Sequence, residues 1–246
     1  MTAVAMMMPT TVRDRVLSIT ACFESRSNFQ TVTGNGDGML LRAGLMRWSI
    51  GMATLQPLLK QMLKRSPDVM AEHLGPARGR LLAALAEGKA QWRDAAVELT
   101  GAPLTARARN LLPDWQSGME ALMGSPVGTA VQRDAMAPML AEAREWCREY
   151  DVETERGLAL FLDIRVQHGG IEPHCKSRIL ERLRPGMSDR DRLNIVVEEC
   201  VSSGGRRRGG VLSRKVCIIE GHGDVEGRTY DLAREFGLSD AAVGDA

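Results

Sequence analysis

The stretch Phe23-Glu-Ser-Arg-Ser-Asn-Phe-Gln-Thr-Val-Thr-Gly-Asn-Gly-Asp37-Gly-Met-Leu-Leu-Arg42-Ala-Gly-Leu-Met-Arg47-Trp48-Ser-Ile-Gly-Met-Ala-Thr-Leu-Gln-Pro-Leu-Leu59 decides how this chain reads. An apolar helical run ends at Phe23-Glu24, and Asp37 follows in the glycine-punctuated loop Gly34-Asn-Gly-Asp-Gly38. A carboxyl group pinned at a helix end beside Phe23 is expected to be partly desolvated, which favours its protonated form, whereas one in an open glycine loop stays ionised. One neutral and one charged carboxyl make the acid and base pairing that cleaves a glycosidic bond. The bare residues also allow a plainer reading, with Glu24 capping solvent-side structure and Asp37 serving as a turn or calcium-loop residue.

Outward from this stretch, Val12, Val16, Ile19, Ala21 and Phe23 fall at helical spacing, with Thr10 or Thr11 as N-cap. A helix over 11–23 therefore delivers Glu24. Residues 25–38 read as loop, and 40–49 as a β-ribbon or an irregular floor. Leu55, Leu58, Leu59, Met62 and Leu63 share one face of a packing helix over 54–64. Short helices are predicted over 68–74, 78–87, 89–99 and 104–112, divided by Gly75-Pro76, Gly88, Gly101 to Pro103 and Pro113. A long helix over 126–150 carries Trp146 as a core residue. The most apolar helix, 153–168, is closed by Gly169-Gly170 and is expected to be buried and central. A capped helix over 188–203, a flexible basic loop from Gly204 to Gly210 containing Arg206-Arg207-Arg208, and two closing helices over 211–220 and 225–236 complete the chain.

Phe23-Glu24, Gly34 to Gly38, Ala43 to Ser49, Gly51 and Thr54-Leu-Gln-Pro-Leu-Leu59, taken in that order, resemble the catalytic face of the chitosanase-like branch of the lysozyme superfamily. That branch includes family 46 chitosanases and bacterial or phage peptidoglycan hydrolases. Asp163-Ile-Arg-Val-Gln167-His168-Gly169-Gly170 is similar to a Phe-Asp-x-x-Val-Gln-Asn-Gly-like string of the same family, and Tyr230-Asp231-Leu232 to its terminal region. The resemblance implies a mainly α, α+β lysozyme-like fold: two helical lobes around a cleft with a short β-ribbon, in a single catalytic domain over 1–246 whose first ten residues are flexible. It implies Glu24 as general acid and Asp37 as the base that activates water, with inversion at the anomeric carbon. Arg42, Arg47, Trp48, Gln167 and His168 are the expected substrate-binding residues, and Asp163 is expected to orient an arginine or polar network behind the acid. Without the family, Asp163 reads equally well as a satisfied buried acid. Two departures stand out. Arg42-Ala43-Gly44 stands where the family tends to read Ser-Phe-Gly or Thr-Ala-Gly, which removes a water-positioning hydroxyl at 42, and Arg47-Trp48-Ser49 replaces the Gln-Trp-Asn of peptidoglycan-acting relatives.

Composition narrows the classes. A chain of 246 residues, 44% hydrophobic and 26% charged, can bury a sizeable core. A net charge of +1 gives no global field for nucleic acid, and 4% aromatics deny it the stacking face of a single-strand binder. No run approaches the roughly 20 apolar residues of a membrane helix. The five cysteines, Cys22, Cys147, Cys175, Cys200 and Cys217, lack metal-ligand spacing and read mostly as small buried hydrophobes, one disulfide being left open by the spacing. The adjacent His174 and Cys175 are expected to point apart. No cofactor or metal is expected. The expected partners are peptidoglycan glycan strands, together with a delivery machinery or an inhibitor or immunity protein. Ala3 to Met8 lack a basic n-region and a cleavage site, so the protein is expected to be made in the cytoplasm and to reach the wall through phage lysis or a secretion system. Arg26, Arg42 and Arg47 lean toward peptidoglycan over polycationic chitosan. The alternatives are a chitosanase and a catalytically inactive wall-binding module.

Overall fold

The computed structural model describes residues 11–25, 28–75, 81, 89–106, 108–202 and 208–243. The segment 1–10, Arg26, most of the helix expected over 78–87 and the Arg206-Arg207 pair lie outside the described residues. The chain divides into two compact units, one formed by 24–136 and the other by 1–23 with 137–246. The fold is mainly α with small antiparallel sheets, as expected.

The first helix, α1 (Val12–Ser25), starts at Thr11, whose Oγ1 accepts the Asp14 amide at 3.1 Å. In the unit 24–136 a three-stranded antiparallel ribbon follows, built from β1 (Val32–Thr33), β2 (Arg42–Ala43) and β3 (Trp48–Ser49), with Val32 opposite Ala43 and Ala43 opposite Trp48. Helices α2 (Leu55–Arg65), α3 (Pro67–Leu74), α4 (Lys89–Thr100) and α5 (Pro113–Gly124) and the first half of α6 (Pro126–Glu149) complete it. Val32, Leu41, Ala43 and Ile50 of the ribbon region join Leu55, Leu59 and Met62 of α2 in one apolar cluster with Met119 and Leu122 of α5. Burial of such side chains contributes about 1.5–3 kcal/mol each. The apolar stripe of α2 is the one legible in the sequence. Gly118 lets α5 press against the end of α3, since a Cβ there would lie 2.4 Å from the His73 carbonyl oxygen.

In the other unit, α7 (Glu155–His168) is buried almost all round, with Leu158, Leu160, Phe161, Leu162 and Ile164 at 0% exposure. Thr154 caps it, accepting the Gly157 amide at 3.3 Å, and Gly169 ends it with φ of 75°. Trp146 and Tyr150 pack on Phe161, at ring separations of 6.2 and 5.7 Å, so Trp146 is the core residue expected. Helices α8 (Pro173–Arg182), α9 (Asp189–Ser202) and α10 (Arg208–Glu220) follow, then β4 (His222–Val225), β5 (Arg228–Asp231) and α11 (Leu232–Phe236).

Three expectations are corrected here. The helix over 104–112 is only a 3-10 turn, Leu104–Ala106, and α5 begins at Pro113. The helix α8 likewise begins on a proline. A proline lacks an amide that the first helical turn does not use, so both prolines start helices rather than stop them. The second closing helix, 225–236, is a hairpin that ends in one short helix. Glu226 and Gly227 have φ of 49° and 77°, the two-residue turn with both positions left-handed that matches strand twist. Tyr230 on β5 then packs edge-on against Phe23, with ring centroids 5.1 Å apart. Finally, His174 and Cys175 do not point apart: Nε2 lies 3.4 Å from Sγ, and the thiol also meets the Glu199 carbonyl at 3.4 Å. All five thiols are free, and burial pushes those of Cys147 and Cys200 up to about 12, so they act as apolar side chains.

Candidate active site

Glu24 sits in the last turn of α1, and the structure corrects the environment expected for it. Successive helical residues point about 100° apart, so the same turn that buries Phe23, 2% exposed, leaves Glu24 exposed.

Asp37 stands on the loop between β1 and β2, and Asn35 organises that loop. Its buried side chain accepts the Leu40 amide at 3.0 Å and donates to the Leu104 carbonyl at 2.8 Å. The Gly34 amide donates to the Arg109 carbonyl at 2.6 Å, and a Cβ on Gly34 would lie 2.6 Å from the Ala108 carbonyl oxygen. Gly36 is pressed against the stem of Arg109, where a Cβ would meet Cγ at 2.7 Å. The glycines are therefore needed for close approach as well as for turning. Asp37 Oδ1 accepts the Met39 amide at 3.1 Å, and Oδ2 pairs with Arg42 Nη2 at 2.7 Å. A carboxylate facing a guanidinium is the environment of an ion pair, not that of a calcium loop.

Arg47 ends the four-residue turn between β2 and β3. The fully buried Gln132 of α6 holds this turn, its Oε1 accepting the Leu45 amide at 2.9 Å and its Nε2 donating to the carbonyls of Met123 at 2.8 Å and Phe29 at 3.1 Å. A Cβ on Gly44, whose φ is 78°, would lie 2.4 Å from that Oε1. Arg47 itself has φ of 51°, a region a side chain rarely adopts, and such conformations cost roughly 1–3 kcal/mol. Burial lowers the pKa of its guanidinium and neighbouring Arg42 lowers it further, while the charges of Asp37 and Glu24 oppose both. The charges of both candidate carboxyls thus favour the ionised form of Arg47. Thr33, Gly34, Gly36, Asp37, Arg47 and Arg109 line a cavity of about 340 Å³. Trp48 is half-buried against the apolar cluster.

Gln167, His168 and Asp163 belong to the other unit, on α7. Asp163 is fully buried. Its Oδ1 accepts from Arg214 Nε at 3.1 Å and Nη2 at 2.6 Å, and its Oδ2 pairs with Lys215 Nζ at 3.1 Å. Burial lowers the pKa of the Lys215 ammonium, and Asp163 opposes that shift. Gln167 Oε1 accepts from the same Nζ at 3.0 Å, while His168 lies exposed at the helix end. Arg214 also donates from Nη1 to the Phe23 carbonyl at 3.3 Å, and its guanidinium lies 5.5 Å from the Phe23 ring centroid. Asp163 thus bonds Arg214, and Arg214 bonds the carbonyl of Phe23, the residue before Glu24.

Sequence reasoning missed Asn35, Arg109, Gln132, Arg214 and Lys215. Asn35 could have been singled out, since an Asn between glycines commonly bonds its own turn. The other four act from far along the chain.

No family model and no curated sequence matches this chain. Solved structures do. The chain superposes on the native chitosanase of Bacillus subtilis MY002 with a TM-score of 0.53 at 15% identity, covering 92% of this chain and 98% of that one. A point mutant of that enzyme complexed with 6 GlcN gives 0.53 at 13%, covering 91% and 97%. A family 46 chitosanase of Gynuella sunshinyii in complex with chitotetraose gives 0.52 at 14%, covering 91% and 98%. The fold is the chitosanase-like fold that the ordered motifs implied.

Proposed function

We propose that this protein is a glycoside hydrolase of aminosugar polymers that cuts the β-1,4 linkage of peptidoglycan with inversion, Glu24 acting as general acid and Asp37 as general base. The observation that carries this reading is Arg47, one guanidinium that feels the charge of both Glu24 and Asp37. A cation influenced by both carboxyls supports their serving one sugar, and inversion asks for about 6.5–9.5 Å between them.

In the reaction Glu24 gives its proton to the leaving glycosidic oxygen as the bond to the anomeric carbon breaks. Asp37 takes a proton from a water whose oxygen attacks that carbon from the opposite face. A sugar ring seated over Glu24 displaces the water around it, and that desolvation favours the protonated acid. Arg42, standing where the family tends to carry a hydroxyl, orients the base through its bond to Asp37 Oδ2 and leaves Oδ1 to a backbone amide.

Charge supports peptidoglycan over chitosan. The cavity beside Asp37 is lined by one acid and two arginines, and Asp37 is paired with a third. A polycation is repelled there and a neutral or acid-bearing glycan is not. The second reading, a chitosanase, is favoured by the identity of the structural neighbours. Reducing ends released from purified wall and from chitosan, at equal sugar concentration, separate the two. Release from wall is expected to be at least about 10-fold faster, a difference of the size that local fields produce. Faster release from chitosan would assign the site to that polymer. We propose that the enzyme meets the wall through phage lysis or a secretion route, and that an inhibitor protein protects its producer.

A further inference from the structure

The cavity beside Asp37 holds more positive charge than the reaction uses. Arg47 and Arg109 line it from separate parts of the chain, one on the β2–β3 turn and the other on the segment that follows the 3-10 turn. Among the described residues neither forms an ion pair with an acid. The Arg47 Nε is buried and has no hydrogen-bond partner. Asp37, the acid lining the same cavity, is engaged by Arg42. Both arginines are built in: Arg47 by a turn clamped by Gln132 and held at a left-handed φ, Arg109 by a stem packed on Gly36 and a carbonyl bonded to Gly34. Two guanidiniums without acid partners, that of half-buried Arg47 and that of exposed Arg109, line one cavity large enough for a few heavy atoms and supply the kind of donors that receive a carboxylate.

We propose that Arg47 and Arg109 form a receptor for a carboxylate carried by the glycan beside the scissile bond, so that acid-bearing strands are selected over neutral or cationic ones. The proposal rests on the hydrolase reading above and names the substituent which that site selects. Burial opposes the charge on Arg47, and a bound anion offsets that opposition, so ligand and receptor stabilise each other. Two carboxylates of wall glycan share this chemistry: the lactyl acid of strands stripped of peptide, and an acid of an intact stem peptide.

Three substrates test the proposal: intact wall, glycan stripped by an amidase to free lactyl acids, and the stripped glycan with those acids converted to methyl amides. For the wild-type chain, kcat/KM on one of the acid-bearing substrates is expected to exceed that on the amide by about 10- to 100-fold, mostly through KM, as befits a charge-assisted bidentate contact. The acid-bearing substrate with the larger advantage identifies the carboxylate. In Arg109→Gln, and separately in Arg47→Gln, that ratio is expected to fall to near one. Because the ratio compares two substrates on one variant, partial unfolding or a damaged Asp37 loop cancels from it. A wild-type ratio near one, or a ratio preserved in both variants, overturns the receptor while leaving the hydrolase standing. Wild-type protein that cleaves none of the three overturns the hydrolase reading and the receptor with it.

Discussion

Glu24→Gln is expected to lower kcat on wall glycan by about 10²- to 10⁴-fold, the range of a lost general acid. The amide keeps the shape of the carboxyl and cannot release a proton to the leaving oxygen. Because Glu24 is exposed in the last turn of α1, stability should change by no more than about 0.5 kcal/mol. Asp37→Asn should lose activity on the same scale, since an amide cannot take the proton of the attacking water. It also gives up the pair with Arg42, but that carboxylate is 43% exposed and an exposed pair contributes only about 0–1 kcal/mol. Rates under saturating substrate, with melting curves as the check on folding, decide the matter. Full activity in either variant removes that residue from the chemistry.

The largest expected effect on stability comes from Asp163→Ala. Its carboxylate is the shared partner of Arg214 and Lys215, whose side chains are 4% and 0% exposed. Removing one member of a buried ion network leaves uncompensated charge inside the protein and costs about 3–5 kcal/mol. Urea unfolding should show this as a lowered midpoint, and Asp163→Asn, which keeps the shape and some hydrogen bonds, should fall between. Arg214 holds the Phe23 carbonyl, so the same change should loosen the end of α1 and depress kcat more than it raises KM. An Asp163→Ala protein that unfolds at the wild-type midpoint would mean that the two cations find other partners.

The legible parts of this molecule are those in which local periodicity and tertiary burial agree. The helix α7 was readable because an apolar run ended by glycines has few other solutions, and α2 because its stripe is regular. The hairpin over 222–231 was not. Residues 225–236 read as a second closing helix, and only the left-handed pair Glu226-Gly227 and the seat of Tyr230 on Phe23 make 222–231 a strand pair. Pro113 was misjudged because a proline marks a boundary without saying which side of it is helical.

The candidate site divides in the same way. Glu24, Asp37, Arg42 and Arg47 lie within one stretch and could be found together. Arg109, Gln132 and Arg214 reach it, or its supporting helix, from 72, 95 and 190 residues beyond Asp37, Asp37 and Glu24, which follows from their numbers in the chain. No short-range pattern encodes such distances. The exposure of Glu24 was misjudged because Phe23 beside it is buried, and helical neighbours do not share an environment.

The central claim is that an acid and a base act on opposite faces of one sugar. The most direct test is proton NMR of the first product formed when the wild-type chain cuts β-linked wall glycan, read before the new reducing end mutarotates. The expected first product carries an α reducing end, the result of a single inverting displacement by water. A β reducing end would mean retention through a covalent intermediate and would contradict the roles assigned to Glu24 and Asp37.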